Sequence, residues 1–176
     1  MGNNLETAVF GGGCFWCTEA IFQSLRGVES VVSGYAGPSA SSGQAAPTYE
    51  QVSMGNTGHA EVVKIEFDPS VISFKQLLEV FFATHDATTP NRQGADAGPQ
   101  YRSLILYTTD LQRAEAEKFI KPPVVTELKP LEKFYTAEEY HQNYYQTNPD
   151  KPYCQVVIGP KLAKLRQKFG PLLKKI

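Results

Sequence analysis

The chain has 176 residues, a formal net charge of −1, 41% hydrophobic residues and 20% charged residues, proportions of a folded globular protein rather than a disordered one. The length supports one substantial core and a single domain spanning 1–176, and the near-zero net charge gives no field that recommends nucleic acid as a partner. No run of about 18 apolar residues recommends a membrane, and no basic-then-apolar segment at the N-terminus marks a secretory signal, so a cytoplasmic location is expected.

Taken in chain order, residues 5–10 (LETAVF) read as a short strand that enters a glycine turn at 11–13. A helix is predicted over 15–25, ending near Gly27, and VESVVSGYAG is a second strand. Residues 37–58 are rich in Gly, Ser, Pro and Ala, and a loop of that length inside a compact domain points to a functional or mobile segment. HAEVVKIEFDP alternates and stops at Pro69, as a strand does. Ser73 and Gln76 make a capping box for the helix FKQLLEVFFATH. A loop over 86–100 leads to the strand YRSLILYTT, and Asp110 is expected to cap the helix LQRAEAEKFI. VVTELKPLEKFY is extended, and Thr136 with Glu139 repeats the capping-box spacing before EYHQNYY. CQVVI then reads as strand, followed by a basic helix at about 160–175 with Leu162, Leu165, Phe169 and Leu172 at helical spacing. That helix carries Lys161, Lys164, Arg166, Lys168, Lys174 and Lys175, read as a solvated face rather than an RNA or membrane surface. Strands and helices interleave with short connections, so the expected class is α+β, with helices on a mixed, mainly antiparallel sheet.

Three cysteines are an odd count and too few for a disulfide scaffold. Cys14 follows three glycines and opens a helix, where free amides and the helix dipole favour an anion. Such a position is expected to lower its thiol pKa and make it a nucleophile. Phe15 and Trp16, next in sequence, suit an apolar wall beside the attacking sulfur, although an aromatic pair also serves as core. Cys17 lies one helical turn on, within disulfide range.

In HAEVVKIEF the period of two places Glu61 with Val63, Ile65 and Phe67, while Lys64 and Glu66 share the opposite face. A carboxyl on the apolar face is desolvated and becomes a proton donor near neutral pH. The competing reading pairs it with Arg92 or Arg102. A thiolate, a methyl-sized wall and a neutral acid together suit attack on a heteroatom whose oxygen leaves protonated, such as the sulfur of a sulfoxide.

GCFWCTEA resembles the GCFW motif of the peptide methionine sulfoxide reductase A family, and PTYE at 47–50, TGHAEVVKIEFDP, NRQGADAGPQYRS and EEYHQNYY follow in that family's order. The resemblance covers residues 7–158. It implies a two-layer α/β sandwich with a ferredoxin-like core, and reduction of the S epimer of methionine sulfoxide, free or in proteins. By the same resemblance Cys14 attacks sulfur and becomes a sulfenic acid, and Phe15 and Trp16 enclose the substrate methyl group. Glu61 protonates the oxygen with the hydroxyls of Tyr49 and Tyr101 bonded to it, and Asp96 binds the methionine amine. No metal or organic cofactor is implied, and thioredoxin restores the thiol. Many family members have glycine where this chain has Cys17, so either Cys17 or Cys154 can form the first disulfide, with Cys17 placed first, and Cys154 can equally be a plain buried thiol. Three readings compete. A zinc site would draw on HAE and CFWC, with His59, His85 and His141 in reserve. A thioredoxin-like oxidoreductase would share the C-x-x-C, and a binding module would use the aromatics at 134, 135, 140, 144 and 145.

Overall fold

The computed structural model describes residues 4–37 and 46–175. In chain order it contains β1 (Glu6–Gly11), α1 (Phe15–Gln23), β2 (Val28–Ala36), α2 (Tyr49–Ser53), β3 (Ala60–Phe67), α3 (Phe74–Thr84) and a short hairpin of β4 (Arg92–Gln93) and β5 (Asp96–Ala97). A 3-10 turn (Pro99–Tyr101), β6 (Leu104–Tyr107), α4 (Asp110–Glu117), β7 (Glu127–Pro130) and β8 (Phe134–Thr136) follow. The chain then runs through a 3-10 turn (Glu139–His141), α5 (Tyr144–Thr147), a π-helical turn (Cys154–Ile158) and α6 (Gly159–Phe169).

The main sheet has the order β7-β6-β1-β3-β2-β8, and every pair is antiparallel except β6 with β7. Its four inner strands, β6-β1-β3-β2, are linked by α1 between the first two in sequence and by α3 after β3. The expected mixed, mainly antiparallel α+β arrangement is therefore present. One face of the sheet sends Phe10, Val63, Ile65 and Phe67 into a core shared with Ile21, Phe22, Leu77, Leu78 and Phe81 from α1 and α3. Phe10 stacks on Phe81 at 4.8 Å between ring centroids. Burying a side chain of this size contributes about 1.5–3 kcal/mol, so this face holds α1 firmly against β2 and β3. On the opposite face Val9, Val62, Leu104 and Leu106 are covered by Leu131 and Phe134. Both sides of β3 are thus buried where it carries Glu61.

The capping box at Ser73 and Gln76 is formed, with Ser73 Oγ accepting from the Gln76 amide at 3.1 Å and Gln76 Oε1 accepting from the Ser73 amide at 3.0 Å. A second box, Thr48 with Gln51, starts α2 inside the stretch read as loop; residues 38–45 of that loop lie outside the described residues. Other boundaries differ from the sequence reading. Thr109, not Asp110, caps α4, because its side chain accepts from the Gln112 amide. Thr136 and Glu139 form no capping box, since Thr136 is still in β8, paired with Gly34. CQVVI is a π-helical turn continuous with α6 rather than a strand; a short apolar run has the same pattern in either state. The basic helix ends at Phe169, and Leu173 instead bridges back to Leu25 beyond α1.

Candidate active site

β1 delivers the chain to a turn that only glycine accommodates at Gly13, where φ is +97° and an added Cβ would lie 2.7 Å from Gln93 Cγ. Cys14 then occupies the N-cap of α1 and offers the helix no side-chain cap. Glu61, from the middle of the sheet, takes that place: its Oε1 accepts the Phe15 N–H at 3.1 Å. The side chain is 2% exposed. Burial pushes its carboxyl up to about 8, against the lowering effect of the Phe15 N–H, with the charges of Asp96 and Cys17 adding to the rise. The alternative pairing with an arginine is not made. Arg102 is engaged by Glu127, Pro99 O and Gly58 O, and Arg92 donates to Gly94 O.

The two neighbouring thiols divide the charge differently from the sequence expectation. Burial pushes the Cys14 thiol well above its ordinary value, helped by a hydrogen bond with Cys17 and the nearby Glu61. Cys17 falls to about 7 because of that bond with Cys14, aided by the Lys161 charge and Tyr153. Lys161 and Cys17 line one small cavity with Gly12, Phe81 and His85. Burial at the helix start thus raises the Cys14 thiol, against the sequence expectation, while the Cys17 thiol is lowered. All three cysteines are free thiols.

Phe15 is buried in the core, facing Tyr35 at 5.7 Å and His141 at 5.1 Å. Trp16 is only half-buried and stands at the edge of that core. Its Nε1 donates to His141 Nδ1 at 3.0 Å, its ring lies flat on Tyr144 at 3.7 Å, and Tyr153 meets it edge-on at 5.7 Å. Tyr49 begins α2 and packs over His141 at 4.4 Å, its amide held by Glu138 Oε2 at 2.9 Å. Tyr101 ends its 3-10 turn half-buried, and burial together with Glu61, Tyr49, Asp96 and Cys14 holds its hydroxyl protonated far above the usual range. Asp96, on the β4–β5 hairpin, accepts from the Tyr153 hydroxyl at 2.9 Å, and that hydroxyl touches Cys17 Sγ at 3.6 Å.

Cys14, Phe15, Trp16, Tyr49, Glu61, Asp96 and Tyr101 thus come from separate segments of the chain into one site, with Cys17 directly behind Cys14. Cys154 is fully buried on the π-helical turn packed against α1, and burial and the Cys17 charge both raise its thiol. Sequence reasoning kept His141 only as a reserve zinc ligand and passed over Tyr153 and Glu138. The one signal for them was the aromatic and acidic density of EEYHQNYY and NPDKPYC. Among the described residues no three His, Cys, Asp or Glu side chains are grouped to hold a metal ion.

Residues 6–172 match the family model described as peptide methionine sulfoxide reductase. The chain is 54% identical over 176 residues to the peptide methionine sulfoxide reductase MsrA of Acinetobacter baumannii, covering 97% of this chain and 99% of that one. Its fold resembles reduced Mxr1 of Saccharomyces cerevisiae, with a TM-score of 0.74 and 32% identity over 85% of this chain and 89% of that one. Mxr1 in complex with Trx2 shares the fold at a TM-score of 0.50 and 23% identity, over 80% and 84% of the two chains. By sequence over nearly its full length, the chain belongs to the MsrA group of the peptide methionine sulfoxide reductase family.

Proposed function

We propose that the chain reduces the S epimer of methionine sulfoxide, free and within proteins, through Cys14, and so repairs oxidised methionine. The observation that carries this is Glu61: a carboxyl held neutral near pH 7 by burial, fastened to the first amide of α1 beside the Cys14 sulfur. Phe15 and Trp16 enclose the substrate methyl group, Asp96 takes the methionine amine, and the Tyr49 and Tyr101 hydroxyls donate to the sulfoxide oxygen. Glu61 protonates that oxygen as Cys14, passing its proton to the Cys17 thiolate, attacks sulfur. The thioether leaves, and the oxygen remains on Cys14 as a sulfenic acid. Cys17, deprotonated again near its pKa of about 7, attacks the Cys14 sulfur, so that a disulfide forms and water departs. Cys154 then exchanges with Cys17 and presents the disulfide to a reductant. Thioredoxin fills that role on this reading, supported by the complex of the related Mxr1 with Trx2.

On the same reading the chain is one catalytic domain in the cytoplasm, working without metal or organic cofactor. Its inner strands and the two crossing helices form a ferredoxin-like β-α-β-β-α-β unit in the order β6-β1-β3-β2. To test the proposal, racemic methionine sulfoxide is incubated with the chain, thioredoxin and a thioredoxin-reducing system. Consumption of the S epimer alone, abolished by Cys14→Ser, is expected. Formation of methionine from neither epimer, or undiminished turnover by C14S, refutes it.

A further inference from the structure

α1 carries a second buried carboxyl that the proposed reaction does not use. Glu19 is 1% exposed and makes none of the ion pairs formed among the described residues. Ser33 Oγ donates to it at 2.7 Å, and burial raises its carboxyl above the ordinary value against the lowering effect of Ser33 and of the backbone N–H groups of Asn143 and Tyr144. The groups that face it are donors, which a carboxyl oxygen satisfies by accepting. Those two amides open α5, whose N-cap Asn143 makes no side-chain cap and sits in the left-handed region at φ +54°. Gln23 Nε2 holds Asn143 Oδ1 at 2.7 Å, and Gln142 clasps the Ser33 amide and carbonyl at 3.0 and 2.9 Å. Segment 142–144 is thereby mounted on α1 and β2, and its last residue, Tyr144, lies parallel to Trp16 at 3.7 Å and 5°.

We infer that Glu19 is a positioning residue for the substrate wall: it fixes the start of α5 so that Tyr144 holds the Trp16 indole in place. The inference rests on the proposed role of Trp16 against the substrate methyl group. Glu19 touches no reacting atom and acts through Tyr144. Its loss should therefore weaken binding in the ground and transition states alike, which raises KM and spares kcat. Trp16 is the only tryptophan in the chain, so its emission reports the same displacement without substrate.

The test compares the full chain with Glu19→Gln, Tyr144→Ala and the double variant, using free methionine sulfoxide and dithiothreitol as reductant. E19Q places an amide donor beside the Ser33 hydroxyl. It is expected to raise KM about tenfold with kcat within about threefold of wild type and to shift Trp16 emission to the red. In the Y144A background E19Q should add no further rise in KM, because both changes remove the same wall. An E19Q protein with unaltered KM and emission overturns the inference, and so do KM effects that multiply fully in the double variant. If wild type reduces no sulfoxide, the functional reading fails, and the emission shift alone decides the role of Glu19. Should E19Q not fold, Ser33→Ala, which removes the hydroxyl donor, replaces it. A rise in KM of about threefold with a red shift supports the inference, and no change in either overturns it.

Discussion

Glu61→Gln keeps an acceptor for the Phe15 N–H and removes the proton that the sulfoxide oxygen needs. Burial raises the carboxyl from an ordinary 4.5 to about 8, and each unit corresponds to 1.36 kcal/mol, so the folded state disfavours the ionised form by about 5 kcal/mol. The folded protein holds this proton more tightly than the unfolded chain. Its contribution to stability is therefore full below about pH 4.5 and is lost as pH rises to about 8. A neutral Gln has no such dependence. Urea unfolding of both proteins at pH 5, 7 and 9 should show E61Q gaining on wild type by up to about 5 kcal/mol as the pH rises. In activity, kcat/KM of wild type should fall on the alkaline side with a midpoint near 8, the value Glu61 has in the free enzyme. E61Q should lose about 10²–10⁴-fold and show no such limb. A stability difference that stays flat with pH, or an E61Q enzyme with near-wild-type turnover, would refute the assignment of a neutral buried acid.

Three further outcomes follow from the same geometry. Cys17→Ser removes the acidic member of the thiol pair, so the Cys14 sulfenic acid should persist after one turnover; rapid formation of a disulfide between Cys14 and Cys154 in C17S, seen by peptide mass mapping, would contradict Cys17 as the first resolving thiol. Tyr153→Phe deletes the hydroxyl that touches Cys17 and bonds Asp96, so Cys17 should titrate above about 7 in the pH profile of iodoacetamide alkylation, against which an unchanged midpoint would count. Gly34→Ala drives a Cβ into the Phe134 ring and the Tyr135 carbonyl oxygen, so it should detach β8 from β2 and destabilise by about 1–3 kcal/mol, read as a lower Tm.

Much of the site was legible because its geometry follows from short-range periodicity. The alternation in HAEVVKIEF places Glu61 on the core side, and the glycine turn at 11–13 sets Cys14 at a helix start; both features stand in the structure. The capping box at Ser73 was legible for the same reason, and the Thr48–Gln51 box of α2 shows the same spacing and was passed over. What the chain did not reveal depends on partners distant in sequence. Cys14 lies at a helix N-terminus, yet burial and the Cys17 bond outweigh that favourable position. His141 and Glu19 look ordinary until 125 residues of separation collapse into the Trp16–His141 hydrogen bond and the bond from Ser33 closes on Glu19. CQVVI carries no periodicity that separates strand from helix, and only its packing against α1 decides the matter.

The central claim is that Cys14 takes oxygen from the sulfoxide and that the other two thiols take none. The most direct measurement is a single turnover by the Cys17→Ser, Cys154→Ser double variant with S-methionine sulfoxide and no reductant, followed by dimedone trapping and peptide mass analysis. The account predicts one methionine formed per chain and the dimedone adduct on the Cys14 peptide. No methionine, or methionine formed while Cys14 remains an unmodified thiol, would contradict it.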